Sequence, residues 1–283
     1  MELMKTTLRK AVVNMFSFLT STFMIYALII SLCLGLAAAL ISPYLVLNNQ
    51  SMIADGLSHV AFTGIAFGLL LVDQPLYVAL PIVILAAILI TYLGNLKMIN
   101  HDSAIGVVSA FSMAVGLIAI SVSSGFNRSI ESLLVGSILT VSPTEVIFAA
   151  VLLILIITFV LVFYRPLLSM TYDQNFAKVS GVKNNLLKYF LSVITASFIT
   201  IGISTAGMLL ISAFIIFPAL IASQLAKNFR QTITFGLIAS VLSVFAGITF
   251  AYHLDIPVGS AIIVLYTILL VFSLLYRKFR RVI

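Results

Sequence analysis

Hydrophobic residues in this chain come in long, nearly unbroken runs separated by short polar stretches. The runs fall near 27–47, 51–71, 76–96, 103–124, 144–164, 187–205, 207–226, 232–252 and 258–276. Each is about the 20 residues that an α-helix needs to cross the hydrocarbon core of a bilayer. Alternating ten-residue segments of the kind that build a membrane barrel are absent, so the pattern predicts an all-α, polytopic membrane protein with eight to nine transmembrane helices. The count is open because the runs at 187–205 and 207–226 abut at GISTAG, which fits either two crossings or one broken helix with a short partner. Between the runs, Ser142-Pro143-Thr144-Glu145 reads as a capping box that starts a helix. Asn127 to Leu139 reads as a short surface helix with Ile130, Leu133 and Leu134 on one side. In the polar stretch 165–186, Asp173 is placed to cap a short helix through Phe176, Ala177 and Val179 that stops at Gly181.

Composition agrees with the pattern: 62% of residues are hydrophobic and only 8% charged, against about 25% charged in ordinary soluble domains. No internal repeat or long linker divides the chain, so a single transmembrane domain is expected over 27–283, preceded by an interfacial arm at 1–26. The first residues hold no small-residue cleavage site, and no cleaved leader is expected. Cys33 has no partner cysteine, which excludes an internal disulfide. The net charge of +7 is explained by loops and tail rather than by nucleic-acid binding: Arg165, Lys178, Lys183, Lys188, Lys227, Arg230, Arg277, Lys278, Arg280 and Arg281 all fall on one side of the expected topology. The positive-inside rule makes that side, with the C-terminus, cytoplasmic. The same count leaves the N-terminus outside although Lys5, Arg9 and Lys10 favour the cytoplasm, so the arm is expected to lie along the interface.

The one acid well inside an apolar run is Asp55, and His59 follows four residues later. At 3.6 residues per turn the two side chains share a helix face and could touch one divalent cation. An acid at a helix centre costs about 2.5–3.5 kcal/mol on insertion scales, which makes it a functional candidate. The competing structural reading is that Asp55 and His59 hydrogen-bond each other and a neighbouring carbonyl. Gly64 and Gly68, also four apart, would let another helix approach closely. His253 and Asp255, beside Pro257, fit either a solvated loop or a cation entrance. His101 and Asp102 fit a solvated turn capping the 103–124 helix better than a ligand site. The chain has no GxxxxGK[ST] loop, HExxH or Gly-x-Ser-x-Gly elbow, so it is not expected to be an enzyme or to hydrolyse ATP itself.

Four segments carry a family resemblance. MIADGLSHVAFTG at 52–64 resembles the signature helix of the metal-ion permeases of ABC importers, which serve zinc, manganese and iron uptake. TYDQNFAKVSG at 171–181 is similar to that family's cytoplasmic Asp-x-x-x-Ala-x-x-x-Gly segment, GMLLISAFIIFPALIA at 207–222 to its Gly-x-Leu-Leu run, and LDIPVGSAIIV at 254–264 to its Asp-x-Pro-x-Gly turn. The SHV, ISAFIIFP and SILTVSP forms look most like bacterial zinc permeases.

The resemblance implies an ABC importer permease fold in the bacterial plasma membrane, with alternating access driven by a separate ATPase. Asp55 and His59 would contact the transported Zn²⁺, or Mn²⁺ or Fe²⁺, and no cofactor is held permanently. Asp173, Ala177 and Gly181, within the coupling segment 165–186, would meet the ATPase. Further partners implied are an extracellular metal-binding protein, a second permease copy, most simply as a homodimer, and membrane lipids. The chain departs from the family where arginines usually precede the signature, having Asn48 and Asn49 instead. It also has Gln174 and Asn175 where acids often follow the coupling Asp. The other classes that the residues leave open are an ATP-independent secondary transporter and a membrane scaffold.

Overall fold

The computed structural model describes residues 22–71, 75–96, 100–122 and 141–282, with side chains as far as Phe279. The arm before Thr22, the expected surface helix at 127–139 and Lys97 lie outside the described residues. Nine helices among the described residues are long and apolar enough to cross a membrane, one for each apolar run. They are α1 (Thr22–Leu47), α2 (Ile53–Leu71), α3 (Pro75–Asn95), α4 (His101–Val122), α5 (Pro143–Val162), α8 (Asn184–Ala206), α9 (Met208–Leu225), α10 (Phe229–Leu254) and α11 (Val258–Val282); between α5 and α8 lie two short helices, α6 (Tyr164–Tyr172) and α7 (Gln174–Val179). Several helices outrun their apolar stretch because polar end residues complete a turn where the chain meets water. Asn228, for instance, caps α10 by accepting from the Gln231 N–H at 2.9 Å. The Ser142 capping box forms, with the Ser142 N–H donating to Glu145 Oε2 at 2.8 Å and Glu145 N–H to Ser142 Oγ at 3.4 Å.

The runs at 187–205 and 207–226 are two separate helices. Gly207, alone between them, has φ 84° and ψ 161°, a conformation that only glycine adopts readily. It turns the chain back, so that Gly202 packs on the side chain of Ile211; an unbroken helix would hold these residues about 13 Å apart. The solvated turn expected at His101 and Asp102 is instead the first turn of α4, which begins earlier because the Asn100 carbonyl accepts from Ala104 N–H at 3.0 Å. His101 is half-buried, its ring against Gly94.

The helices divide into two packed groups, α2 with α3, α4 and α8, and α1 with α9, α10 and α11, joined by α5, which packs on both α1 and α8, and by α9 against α2 and α8. The turns after α1, α3 and α9, the α6–α7 segment and the end of α11 gather at one pole. Asn48 Nδ2 reaches Thr171 Oγ1 at 3.4 Å, and Arg277 Nη1 donates to Gln224 Oε1 at 2.5 Å. Every lysine and arginine whose side chain is described sits at this basic pole.

Helix α2 is the most enclosed of the spans. It lies antiparallel to α3 and so close that a Cβ on Gly64 would come within 2.7 Å of Ala79 Cα, and one on Gly68 within 2.5 Å of Pro75 Cα. Its other side meets α4 in parallel, where Thr63 Oγ1 donates to the Ser112 carbonyl at 2.6 Å. Because the obstacle at Gly64 is backbone, Gly64→Val is expected to destabilise the bundle by about 1–3 kcal/mol, the usual size of an overpacking defect. Thermal unfolding in detergent measures this. Gly106→Ala, at a helical glycine with open space around it, should not lower the midpoint and should raise it slightly, since Ala favours the helix by about 0.4–1 kcal/mol.

Candidate functional site

Asp55 stands in the first turn of α2 and His59 one turn further, both toward the basic pole. From Ile53 to Ala66 every residue of α2 is buried except these two. Their side chains are 57% and 29% exposed, respectively, and the His59 Nε2–Asp55 Oδ2 distance is 4.0 Å. That is too long for a hydrogen bond, so the pair does not satisfy itself. It is no longer than the sum of one zinc–nitrogen and one zinc–oxygen bond, about 4.0–4.3 Å, so one cation between them could touch both. On the other side of the ring, His59 Nδ1 is buried and has no hydrogen-bond partner. No group of three or more His, Cys, Asp or Glu able to hold a metal occurs among the described residues. A cation here would have two protein ligands from this chain and a polar opening toward whatever covers the face.

His253 and Asp255 are not brought to this pair. They lie at the opposite pole, on the other helix group, both exposed. His253 is in the last turn of α10, and Asp255 ends that helix in the left-handed conformation at φ 52° and ψ 46°. Asp255 has no glycine's freedom there, but a short polar side chain tolerates this region better than most.

The segment 165–186, expected to meet an ATPase, folds as two short helices rather than one. Asp173, extended at φ −149° and ψ 101°, ends α6 and starts α7 by accepting from the Asn175 and Phe176 N–H groups at 2.9 and 3.0 Å. Ala177 is fully buried beneath α7. Gly181, at φ 81°, closes the helix: Val182 N–H bonds to the Ala177 carbonyl at 2.9 Å and Gly181 N–H to Lys178 at 3.2 Å, the paired bonds that a left-handed residue after a helix allows. The opposite side of α7 presents Phe176, 62% exposed, and Val179, 89% exposed.

What the sequence did not disclose is how this segment is clasped to the bundle. Phe229, at the start of α10, packs its ring against Tyr44 of α1, Tyr164 and Tyr172, at centroid distances of 5.1, 6.2 and 6.0 Å. Asn48 adds its bond to Thr171, and Lys188 Nζ donates to Gln174 Oε1 at 3.0 Å. The only hint in the chain was tyrosines near loop cations. Any displacement of α6 and α7 must therefore be felt at the ends of α1, α8 and α10.

Comparison with known proteins follows from this arrangement. The sequence profile of the ABC 3 transport family matches residues 20–277. The high-affinity zinc uptake system membrane protein ZnuB of Haemophilus influenzae is 24% identical over 252 residues, 89% of this chain and 97% of that protein. The manganese transport system membrane protein MntC of Listeria innocua is 27% identical over 254 residues, covering 88% and 89% of the two chains. Among solved structures, PsaBC from Streptococcus pneumoniae, in complex with Fab, superposes with a TM-score of 0.81 at 25% identity, over 93% of this chain and 95% of that one.

Asp173→Ala should loosen α7 by about 1 kcal/mol, the usual worth of an N-cap. Hydrogen–deuterium exchange of the 175–180 amides checks this: faster exchange confined to that stretch is expected, with Asp173→Asn close to the wild-type chain.

Proposed function

The chain belongs to the ABC 3 transport family, and from that premise we propose that it is the membrane permease of an importer for divalent metal ions, with zinc as the preferred cargo. The observation that carries the reading is the Asp55–His59 face, the one uncovered side of an otherwise buried part of α2. A carboxylate left facing acyl chains is disfavoured, which supports a second copy of the chain or a water-filled path opposite it. In the same reading, His59 and Asp55 replace part of the hydration shell of the passing cation. Two ligands bind weakly enough to release it, as conduction requires.

Imidazole nitrogen favours zinc over manganese, because affinity at such donors rises from Mn²⁺ towards Zn²⁺. The names of the relatives, a zinc and a manganese transport protein, support the divalent class and leave both ions to be compared directly. Orientation is part of the proposal: the basic pole faces the cytoplasm by the positive-inside rule, which puts the C-terminus inside. There Phe176 and Val179 supply an apolar surface for a separate ATPase subunit, which would hydrolyse ATP and drive alternating access through the clasped α6–α7 segment. An extracellular metal-binding protein would deliver the ion to the opposite pole, where His253 and Asp255 stand.

Uptake of radioactive zinc by cells or vesicles carrying the complete transporter tests the site. Asp55→Asn and His59→Ala are each expected to lower uptake by about 10–100-fold, the loss that even an outer partner of a metal site can cause. Excess unlabelled zinc should compete better than manganese. Normal uptake in both variants would remove Asp55 and His59 from the path, and stronger competition by manganese would reverse the choice of cargo.

A further inference from the structure

A second polar site lies at the basic pole, with neither Asp55 nor His59 in its lining. It is a cavity of about 660 Å³ between the end of α3, the α7 segment and the start of α8, lined by Asn95, Lys178, Lys183, Asn184, Leu186 and Lys188 among others. No acidic side chain among the described residues lines it. Among the described residues, none of the three lysines is in an ion pair. Two amide atoms are buried without partners: Asn95 Nδ2, a donor, and Asn184 Oδ1. Lys183, at the N-cap of α8, makes no side-chain capping bond, so the positive end of that helix dipole adds to the same field. The cavity thus offers ammonium groups and a free amide donor with no anion to meet them.

Its surroundings narrow the anion. Leu186 lines the cavity and is 51% exposed, and Phe190, one turn further along α8, is 49% exposed; Leu96, next to Asn95, is 44% exposed. An apolar surface therefore continues from the lysines along a span, which is the layout of a phospholipid rather than of a free ion or an acidic protein loop. Basic pockets between spans at a membrane face are suited to anionic headgroups. We infer that this cavity binds the phosphate of an anionic phospholipid, with Lys178, Lys183 and Lys188 around the headgroup and an acyl chain along Leu186 and Phe190. Because Gln174 bonds to both Asn184 and Lys188, at 2.7 and 3.0 Å, the bound headgroup also braces the α7 segment against α8. The inference needs the membrane fold and not the metal path.

The test is native mass spectrometry of the full-length chain, delipidated and returned to nanodiscs containing phosphatidylglycerol and phosphatidylcholine. One phosphatidylglycerol per chain should be retained in preference to phosphatidylcholine. Lys178→Gln with Lys183→Gln, two exposed positions, should weaken that retention about 30-fold, fivefold per lysine or ~1 kcal/mol each, with an unchanged thermal midpoint in detergent. Equal retention of both lipids, or undiminished phosphatidylglycerol binding in the double variant, overturns the proposal. So does inorganic phosphate binding as tightly in lipid-free micelles, which would make the ligand a free anion. Loss of ATPase co-purification with phosphatidylglycerol retention intact would make the surface a protein contact instead. Zinc uptake plays no part in these readouts, so failure here is distinct from failure of the metal site.

Discussion

The close approach of α2 to its neighbours governs much of this structure. Where Gly64 and Gly68 meet Ala79 and Pro75, backbone lies against backbone, and in a membrane such packing substitutes for the hydrophobic force that holds soluble helices together. Enclosure of α2 on these sides is what isolates Asp55 and His59. Every other residue of the first four turns is covered by α3, α4, α8 or α9, so the polar pair occupies the single face left for contact with something outside the chain. The glycines and the polar pair are in this sense one feature: a helix held from behind so that it can present two donors in front.

A similar division of labour holds at the basic pole. The α6–α7 segment adds few side chains to the core, Leu167 and Met170 from α6 and Ala177 from α7. Beyond these, its position comes from the aromatic ring cluster around Phe229, from Asn48 on Thr171 and from Gln174 on α8. These attachments reach both helix groups, since Phe229 and Tyr44 belong to one and Lys188 to the other. A force on Phe176 or Val179 is thus shared between the groups rather than absorbed by one. The segment is fastened by hydrogen bonds and rings, with Asn48 and Asn49 standing where the family resemblance led one to expect arginines ahead of the signature.

The spans were legible in the sequence because the hydrocarbon layer imposes one length and one polarity on each of them. The caps at Ser142 and Asp173 were legible for a local reason: each is decided within four residues. The reversal at Gly207 was half legible. GISTAG signals a break, but whether the chain continues or turns back depends on Ile211 packing on Gly202, a contact that periodicity does not encode. His101 was misread as solvated because its burial depends on Gly94 in the preceding helix. Still less accessible were the Phe229 cluster and the lysine cavity, whose members are separated by up to about a hundred and eighty residues and meet only when α1, α3, α8 and α10 are packed. The i and i+4 spacing of Asp55 and His59 gave their shared face; that this face is the uncovered one required the neighbours.

If Asp55 and His59 hold the passing ion as proposed, the weakness of such a two-donor site also bears on how transport could be made directional. Four-ligand zinc sites bind with about 10–16 kcal/mol, far too tightly for a conduit that must release its ion each cycle. If two copies face each other across the Asp55–His59 surface, one arrangement brings four donors within reach of a single ion, and a small separation of the copies leaves two on each. Affinity would then be set by the distance between subunits rather than by any change within one. Such a switch needs no movement of α2 relative to its own bundle, which its glycine contacts oppose. It needs only a relative displacement of whole bundles, which the α6–α7 segment, tied to both helix groups of its chain, is placed to transmit.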